Sequence, residues 1–151
     1  MSLVFPYRNF PTPRPVWPLD GRVERPRPVL HVALIGPSQT CARLSLLDSG
    51  ADDTIFPEDL AALAGIDLTG APTGSASGVG LVGVGVRYAE VTLRITDGRE
   101  FRQWQARVGF TSTKLKRPLL GFAGFLKFFT ATFHGDREEV ELAVNSLYPG
   151  T

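Results

Sequence analysis

The segment LSLLDSGADDTIFP, residues 44–57, contains a carboxylate in a position suited to chemistry. Asp48 follows a run of apolar residues and precedes a small hydroxyl residue and a glycine, Ser49 and Gly50. A carboxylate that activates water must be held rigidly and partly shielded from solvent, and a strand that ends in a tight loop provides both conditions. Gly50 permits the tight turn, and the hydroxyl of Ser49 can brace the loop. An isolated Asp-Ser-Gly tripeptide is usually only a turn, so the case for catalysis depends on the rest of the chain.

Short strands and frequent turns surround this segment. VLHVALI and CARLSLLD predict two strands before Asp48, because they are rich in residues that favour a pleated surface. PEDLAALAGI predicts a short helix, with a proline near its start, acidic residues in its first turn and a glycine as its stop. RYAEVTLRI and EFRQWQARVGF predict a hairpin, FTATF and EEVEL predict a second, and a short helix is expected between residues 123 and 129. The pattern is typical of an all-β, barrel-like domain with small helices.

The N-terminal segment has a different composition. The first 28 residues hold seven of the twelve prolines and five arginines, which predicts an extended arm rather than a helix or a central strand. Its aromatic side chains are costly to leave in water, and we expect the arm to pack on the protein through Phe5, Tyr7, Phe10 and Trp17. A ligand for a proline-recognising module, an arm around a partner subunit and a solvated tail are the other interpretations. The expected organisation is an arm at 1–26, one domain at 27–145 and a C-terminal tail at 146–151.

Overall composition restricts the classes of partner and compartment. A formal net charge of +1 gives no global field that would attract nucleic acid or a membrane surface. Cys41 is the only cysteine, so no disulfide can form within the chain, which suits a reducing compartment. The first twenty residues contain no continuous apolar stretch of the kind found in signal peptides. The sequence therefore predicts a cytoplasmic protein without a nucleic-acid or membrane partner.

LLDSGADDTIFP closely resembles the active-site loop of the retropepsin-like aspartic proteases. PLLGFAGFLKFF, with Leu119-Leu120-Gly121, resembles a second element of that family, an apolar pair and a glycine that lead into a short helix. The glycine-rich segment SASGVGLVGVGVRYAEVTL between them resembles the family's hairpin flap, with Gly78-Val79-Gly80 as its tip. The three elements have the family's order and spacing, and the resemblance covers residues 27 to about 142.

This resemblance implies a retropepsin-like acid protease barrel with one lobe per chain. Aspartic proteases need two carboxylates that share one proton, and the chain has a single Asp-Ser-Gly. A homodimer would supply the second Asp48 across a twofold axis. The implied activity is that of an aspartic endopeptidase, without a cofactor or metal, that acts on a peptide or protein substrate. The catalytic residues would be Asp48, Ser49 and Gly50, and the substrate-binding residues would be Ala51, Asp52, Asp53, Ile55, Ser77, Gly78, Val79, Gly80 and Leu119.

The sequence departs from the family at Phe122, where many members have an arginine that pairs with the second aspartate of the loop. Asp52 therefore needs another partner, and Arg27 of a second subunit is the expected one. The departure and the unexplained arm also leave a second class of function open, a peptide-binding or assembly module with little or no turnover. A regulator that cleaves only its own precursor is a third interpretation. A cation site at Asp48, Asp52 and Asp53 or a phosphate loop at the glycines of residues 70–85 has less support, because no histidine lies near the former and no GK[ST] motif follows the latter.

Overall fold

Strands dominate the chain, as the sequence predicts. A computed structural model describes residues 1–78 and 81–151. The strands in these ranges are β1 (Leu3–Pro6), β2 (Arg8–Val16), β3 (Arg22–Arg27), β4 (Val29–Ile35), β5 (Thr40–Leu47), β6 (Ile55–Pro57), β7 (Thr73–Gly78), β8 (Leu81–Thr96), β9 (Phe101–Thr111), β10 (Leu119–Leu120), β11 (Phe129–His134) and β12 (Glu139–Val144). One α-helix, α1 (Glu58–Ala64), and the 3-10 helices Trp17–Leu19 and Leu126–Phe128 complete the regular structure of the described ranges. The all-β prediction is confirmed.

Seven of the strands form one sheet in the order β4-β5-β10-β6-β9-β8-β7. β10 runs parallel to β5 and antiparallel to β6, and β6 runs parallel to β9. The long strand β8 pairs with β7 and β9, and three of its residues also pair with β4. A three-stranded sheet, β1-β12-β11, brings the two ends of the chain together, and among the described strands β2 pairs only with β3.

The main hydrophobic core is built around Trp104 in β9. Its side chain is 2% exposed, and its ring centroid lies 5.4 Å from that of Phe125 and 5.3 Å from that of Phe129. Both rings meet it edge to face, the arrangement that the quadrupoles of aromatic rings favour. The indole N–H donates to the carbonyl oxygen of Gly124 at 3.0 Å, so the largest buried side chain also has its polar atom satisfied.

The short helix and both long hairpins occur where the sequence predicts them. α1 starts directly after Pro57 and ends at Gly65, which has a left-handed backbone with φ of +81°. Its buried face consists of Leu60, Ala61 and Ala64, and this face fixes the helix on the sheet. The β8–β9 and β11–β12 hairpins are confirmed, and a 3-10 helix occupies part of the region where a second short helix is expected. In the described ranges, no helix is both long and apolar enough to cross a membrane.

The proline-rich N-terminal segment consists of an edge strand and a separate hairpin. β1 pairs with β12, and this pairing buries Phe5 while Tyr7 packs against the core. The β2–β3 hairpin contacts the rest of the chain through an ion pair of 2.6 Å between Arg22 and Glu138. Trp17 at its end is 90% exposed. The expectation that the aromatic residues of the arm pack on the protein is therefore correct for Phe5 and Tyr7. It also holds for Phe10, whose half-buried ring lies 4.5 Å from the guanidinium of Arg117. It is wrong for Trp17, because the end of a two-stranded hairpin offers no surface to cover its ring.

Candidate active site

The strand β10 lies between β5 and β6 and holds the two ends of the Asp48 loop. Leu119 and Leu120 pair with Leu46 and Leu47 on one side, and Leu119 pairs with Ile55 on the other. Since β5 and β6 are consecutive in the chain, the loop that joins them must pass over the end of β10. The backbone N–H of Asp48 donates to the carbonyl oxygen of Leu120 at 3.1 Å, so Asp48 is fixed at the point where the loop begins.

Gly121 allows the loop to pack against the chain that leaves β10. A Cβ atom added to Gly121 would lie 2.7 Å from the carbonyl oxygen of Ala51 and closer still to that of Asp53. The N–H of Phe122 donates to Ala51, at 3.0 Å, and the N–H of Ala123 donates to the carbonyl oxygen of Asp52, at 2.8 Å. Any side chain at Gly121 would displace these backbone contacts, which explains why the apolar pair must be followed by a glycine.

The carboxylate of Asp48 is half-buried and only partly satisfied. Its Oδ1 atom accepts a hydrogen bond of 2.9 Å from the backbone N–H of Gly50, and the carbonyl oxygen of Asp48 accepts one of 3.1 Å from the N–H of Ala51. In residues 1–78 and 81–151, no basic side chain forms an ion pair with Asp48. Ser49 is exposed, and its hydroxyl forms no hydrogen bond within those ranges. The turn thus orients one carboxylate oxygen and leaves lone pairs of the group available to a further partner.

The two following aspartates differ in their surroundings. Asp52 is exposed and has no ion-pair partner among the described residues of this chain. The pairing with Arg27 is a contact between two chains, and it stays a prediction. Asp53 is half-buried, and its Oδ2 atom accepts a hydrogen bond of 3.0 Å from the hydroxyl of Tyr88 in β8. Burial, the hydrogen bond to Asp53 and the negative charge of that carboxylate raise the pKa of Tyr88 above its usual value.

A small apolar cluster connects the β7–β8 hairpin to the strands beside the Asp48 loop. Its buried members are Ile55, Ala76, Val84 and Val86, with Tyr88, Leu115 and Leu119 packed around them. We call this set the hairpin cluster. Ile55 is 1% exposed and lies in the interior of the hairpin cluster, whereas Leu119 is half-buried and retains accessible surface. Of the four substrate-binding residues predicted in the hairpin, Ser77 and Gly78 end β7, and Val79 and Gly80 lie outside the described residues.

Two further features of the predicted site have defined positions. Phe122, which occupies the position of the usual arginine, is 59% exposed directly beside the loop. Arg117, two residues before Leu119, places its guanidinium 4.5 Å from the ring centroid of Phe10 in β2. This cation–π contact brings the N-terminal hairpin to the segment that leads into β10.

Tyr88 is the residue of this region that the sequence does not identify. The alternation in VRYAEVTL predicts that Val86 and Tyr88 share a face of the strand, which is the available signal. The partner of that face, Asp53, is specified by the register of β8 against β9 and by the path of the loop, and neither is apparent from a linear pattern.

In sequence comparisons, no protein-family model and no curated protein matches the chain.

Proposed function

We propose that this protein is a homodimeric aspartic endopeptidase of the retropepsin type, with one Asp48 from each chain in a shared catalytic pair. The observation that carries the proposal is the position of β10, which holds the two ends of the Asp48 loop through Leu119, Leu120 and Gly121. This arrangement presents a half-buried carboxylate with unused lone pairs at the end of a rigid sheet. The resemblance of the three sequence elements supports the same proposal independently of the fold.

The proposed reaction is the hydrolysis of a peptide bond by one water molecule. One Asp48 carboxylate removes a proton from the water as its oxygen attacks the carbonyl carbon, and the other, protonated Asp48 donates its proton to the carbonyl oxygen. The resulting gem-diol collapses as one of its hydroxyl protons passes to the ionised Asp48 and the C–N bond breaks, and the protonated Asp48 donates its proton to the leaving amine. The pair then has one proton again, and no cofactor takes part.

The peptide would lie between the Asp48 loop and the β7–β8 hairpin. The carboxylates of Asp52 and Asp53 would provide hydrogen-bond acceptors on the loop side of this peptide site. The exposed part of Leu119 would provide apolar surface beside the catalytic residue. The hairpin would close over the peptide and exclude water from the reacting carbonyl. The apolar surface at Leu119 suits cleavage between apolar residues.

The experiment that tests the proposal is digestion of a fluorogenic peptide library by the wild type and by Asp48→Asn, over a range of pH. We expect a bell-shaped rate profile with an acidic optimum for the wild type and no cleavage by the variant. Cleavage fails at low pH because both carboxylates are protonated and no base remains, and it fails at high pH because both are ionised and no acid remains. A rate that rises steadily into the alkaline range contradicts the proposal, as does cleavage by Asp48→Asn.

Sedimentation over a dilution series, with activity measured on the same samples, tests the requirement for two chains. Activity should fall with the dimer fraction, and full activity of a monomer contradicts the paired mechanism. A peptide-binding module without turnover is the alternative function, and the exposed Phe122 is the feature that favours it, since an apolar side chain at the mouth of the site suits retention of a peptide. Peptides that bind but are not cleaved at any pH would identify that alternative.

A further inference from the structure

The hydroxyl of Tyr88 connects the base of the hairpin to the Asp48 loop. It donates to Oδ2 of Asp53 at 3.0 Å, across 35 positions of the sequence. Asp53 itself is held to the chain after β10 by a parallel bridge to Ala123. The phenol thus links two segments, the returning strand of the hairpin and the loop, at a point five residues after Asp48.

Backbone on both sides confines the ring of Tyr88. A Cβ atom on Gly74 of β7 would lie 2.6 Å from Cε2 and 2.9 Å from the hydroxyl oxygen, and one on Gly109 of β9 would lie 3.6 Å from Cε1. The N–H of Tyr88 also donates to the carbonyl oxygen of Pro72 at 2.8 Å. Glycines at both flanking positions create the space for the ring and leave it little freedom to turn, so the hydroxyl is preorganised toward Asp53.

The chemistry of the pair suits recognition of a hydrogen-bond donor. The phenol donates to Oδ2 at 3.0 Å and thereby fixes the orientation of the Asp53 carboxyl group. Oδ1 of Asp53 makes no hydrogen bond to any other residue in the part of the chain that the structure describes. An oriented carboxylate with one occupied oxygen can accept from a single N–H group of a bound peptide backbone.

We propose that Tyr88 is a positioning residue that orients Asp53 for binding the peptide backbone and fixes the hairpin base to the loop. The inference rests on the proposed function, since it assigns a role within the same peptide site. It predicts that loss of the hydroxyl weakens substrate binding more than it slows the chemical step, because the hydroxyl acts through Asp53 and not on the reacting atoms.

The test compares Tyr88→Phe with Tyr148→Phe in the full chain. Tyr148 is a control of the same residue type, because its hydroxyl also donates to the protein, with the carbonyl oxygens of Gln103 and Thr151 at 3.0 and 3.2 Å, but it lies on the Trp104 side of the core. With one peptide from the library as probe, we expect Tyr88→Phe to raise KM about tenfold with kcat within about twofold of the wild type. Tyr148→Phe should leave both constants unchanged. An unchanged KM in Tyr88→Phe, or equal effects of the two variants, overturns the inference.

A second measurement does not depend on turnover. In alkaline titrations followed by tyrosine absorbance, Asp53→Asn should lower the pKa of Tyr88, because it removes the negative charge that helps to raise it. Tyr88→Phe identifies which absorbance change belongs to this residue. If the titration of Tyr88 is the same in wild type and Asp53→Asn, the two groups are not coupled and the inference fails.

The two proposals can fail separately. Cleavage by the wild type with an unchanged KM in Tyr88→Phe refutes the inference and leaves the endopeptidase intact. If the wild type does not cleave, the endopeptidase proposal fails, and the dissociation constant of the same peptide then replaces KM as the readout. A tenfold weaker binding by Tyr88→Phe still supports the positioning role, and an unchanged affinity, or no binding by the wild type, overturns it.

Discussion

Asp48 and Asp97 both follow a strand and lie in turns that contain a glycine, yet their carboxylates have opposite surroundings. Asp97 follows β8, and its side chain is 2% exposed. Its Oδ1 accepts from the N–H groups of Arg99 and Glu100, at 2.9 and 3.0 Å, and its Oδ2 accepts from the N–H of Val4 and a guanidinium nitrogen of Arg99, at 3.1 and 3.2 Å. Asp48 accepts one hydrogen bond, from Gly50, within the described residues.

This difference separates a structural carboxylate from one available for chemistry. Burial by itself would raise the pKa of Asp97, but the N–H groups of Glu100, Arg99 and Val4 and the guanidinium of Arg99 together lower it well below its usual value. A carboxylate with every lone pair occupied cannot bind water in a reactive geometry. Asp97 instead fixes β1 to the β8–β9 hairpin, whereas the Asp48 carboxylate accepts one hydrogen bond from the described residues and can accept a further partner, as the proposed catalytic role requires.

The largest expected effect is that of Asp48→Asn on activity. We expect a loss of at least about a thousandfold in kcat, because a carboxamide cannot accept the proton of the attacking water. The free energy of unfolding should change by less than about 0.5 kcal/mol, since the amide oxygen still accepts from the N–H of Gly50. Turnover assays and urea unfolding of the same preparation measure both values. A large loss of stability would place Asp48 in the same class as Asp97.

Asp97→Asn should show the reverse, a loss of stability of about 2 kcal/mol at neutral pH, because one amide oxygen replaces four charge-assisted contacts. The folded-state pKa of Asp97 lies below the unfolded value, so its contribution is complete above the unfolded value and disappears as pH falls through the folded one. The cost of the substitution should therefore shrink in acid. Unfolding at pH 7, 4 and 2 measures this trend, and Asp67→Asn, in an exposed turn where the N–H of Thr69 donates to the carboxylate, is the control. A cost independent of pH would contradict this account.

A matched pair of alanine substitutions sharpens the comparison further. Gly98 has φ of +90° with open space around it, so Gly98→Ala should cost about 1 kcal/mol of stability and leave activity unchanged. A Cβ atom on Gly50 would lie 3.3 Å from Oδ1 of Asp48, so Gly50→Ala should displace that carboxylate and reduce kcat about tenfold. Its stability cost should stay below about 1 kcal/mol. If both variants lose stability and neither loses activity, the two turns are equivalent.

Arg99→Ala should have the smallest effect. Its guanidinium pairs with Asp97, but the side chain is 65% exposed and the pair is screened by solvent. We expect a loss of less than about 0.5 kcal/mol that disappears in high salt, because the backbone N–H of residue 99 still donates to the carboxylate. Thermal unfolding of the wild type and Arg99→Ala at two salt concentrations measures this loss. A loss of stability that salt does not change would mean that the Arg99 side chain contributes more to holding Asp97 than a solvent-screened pair can.

Local patterns predict the elements whose signals are contained in a few residues. The Pro57 start and Gly65 stop specify α1, and the turn at Asp97 and Gly98 specifies the β8–β9 hairpin. These features arise from neighbouring residues, so a linear reading detects them. The grouping of the Asp48 segment with Leu119-Leu120-Gly121 is implied only by resemblance, since nothing in either stretch specifies the other.

Contacts between segments that are distant in the sequence cannot be predicted from local patterns. The pairing of β1 with β12, the exposure of Trp17 and the hydrogen bond between Tyr88 and Asp53 all depend on how complete sheets are placed. Hydrophobicity predicts that Trp17 should be covered, but coverage requires a neighbouring surface, and the hairpin that carries it pairs with no further strand in the part of the chain that the structure describes. Period-two alternation specifies the face of Tyr88 and says nothing about what lies opposite.

The insertion of β10 between β5 and β6 has a consequence for the order in which the molecule assembles. The strands that flank Asp48 are separated from β10 along the chain by α1, the β7–β8 hairpin and β9. Closing so long a loop is slow compared with zipping the β8–β9 hairpin, so we expect the Asp48 amide, which donates to Leu120, to gain protection late in refolding. Pulsed hydrogen exchange with mass or NMR detection would show this sequence, and simultaneous protection of both regions would contradict it. During synthesis, a nascent chain that ends before residue 119 contains Asp48 but lacks the strand that fixes it, so the Asp48 loop cannot take its folded position until β10 has been made.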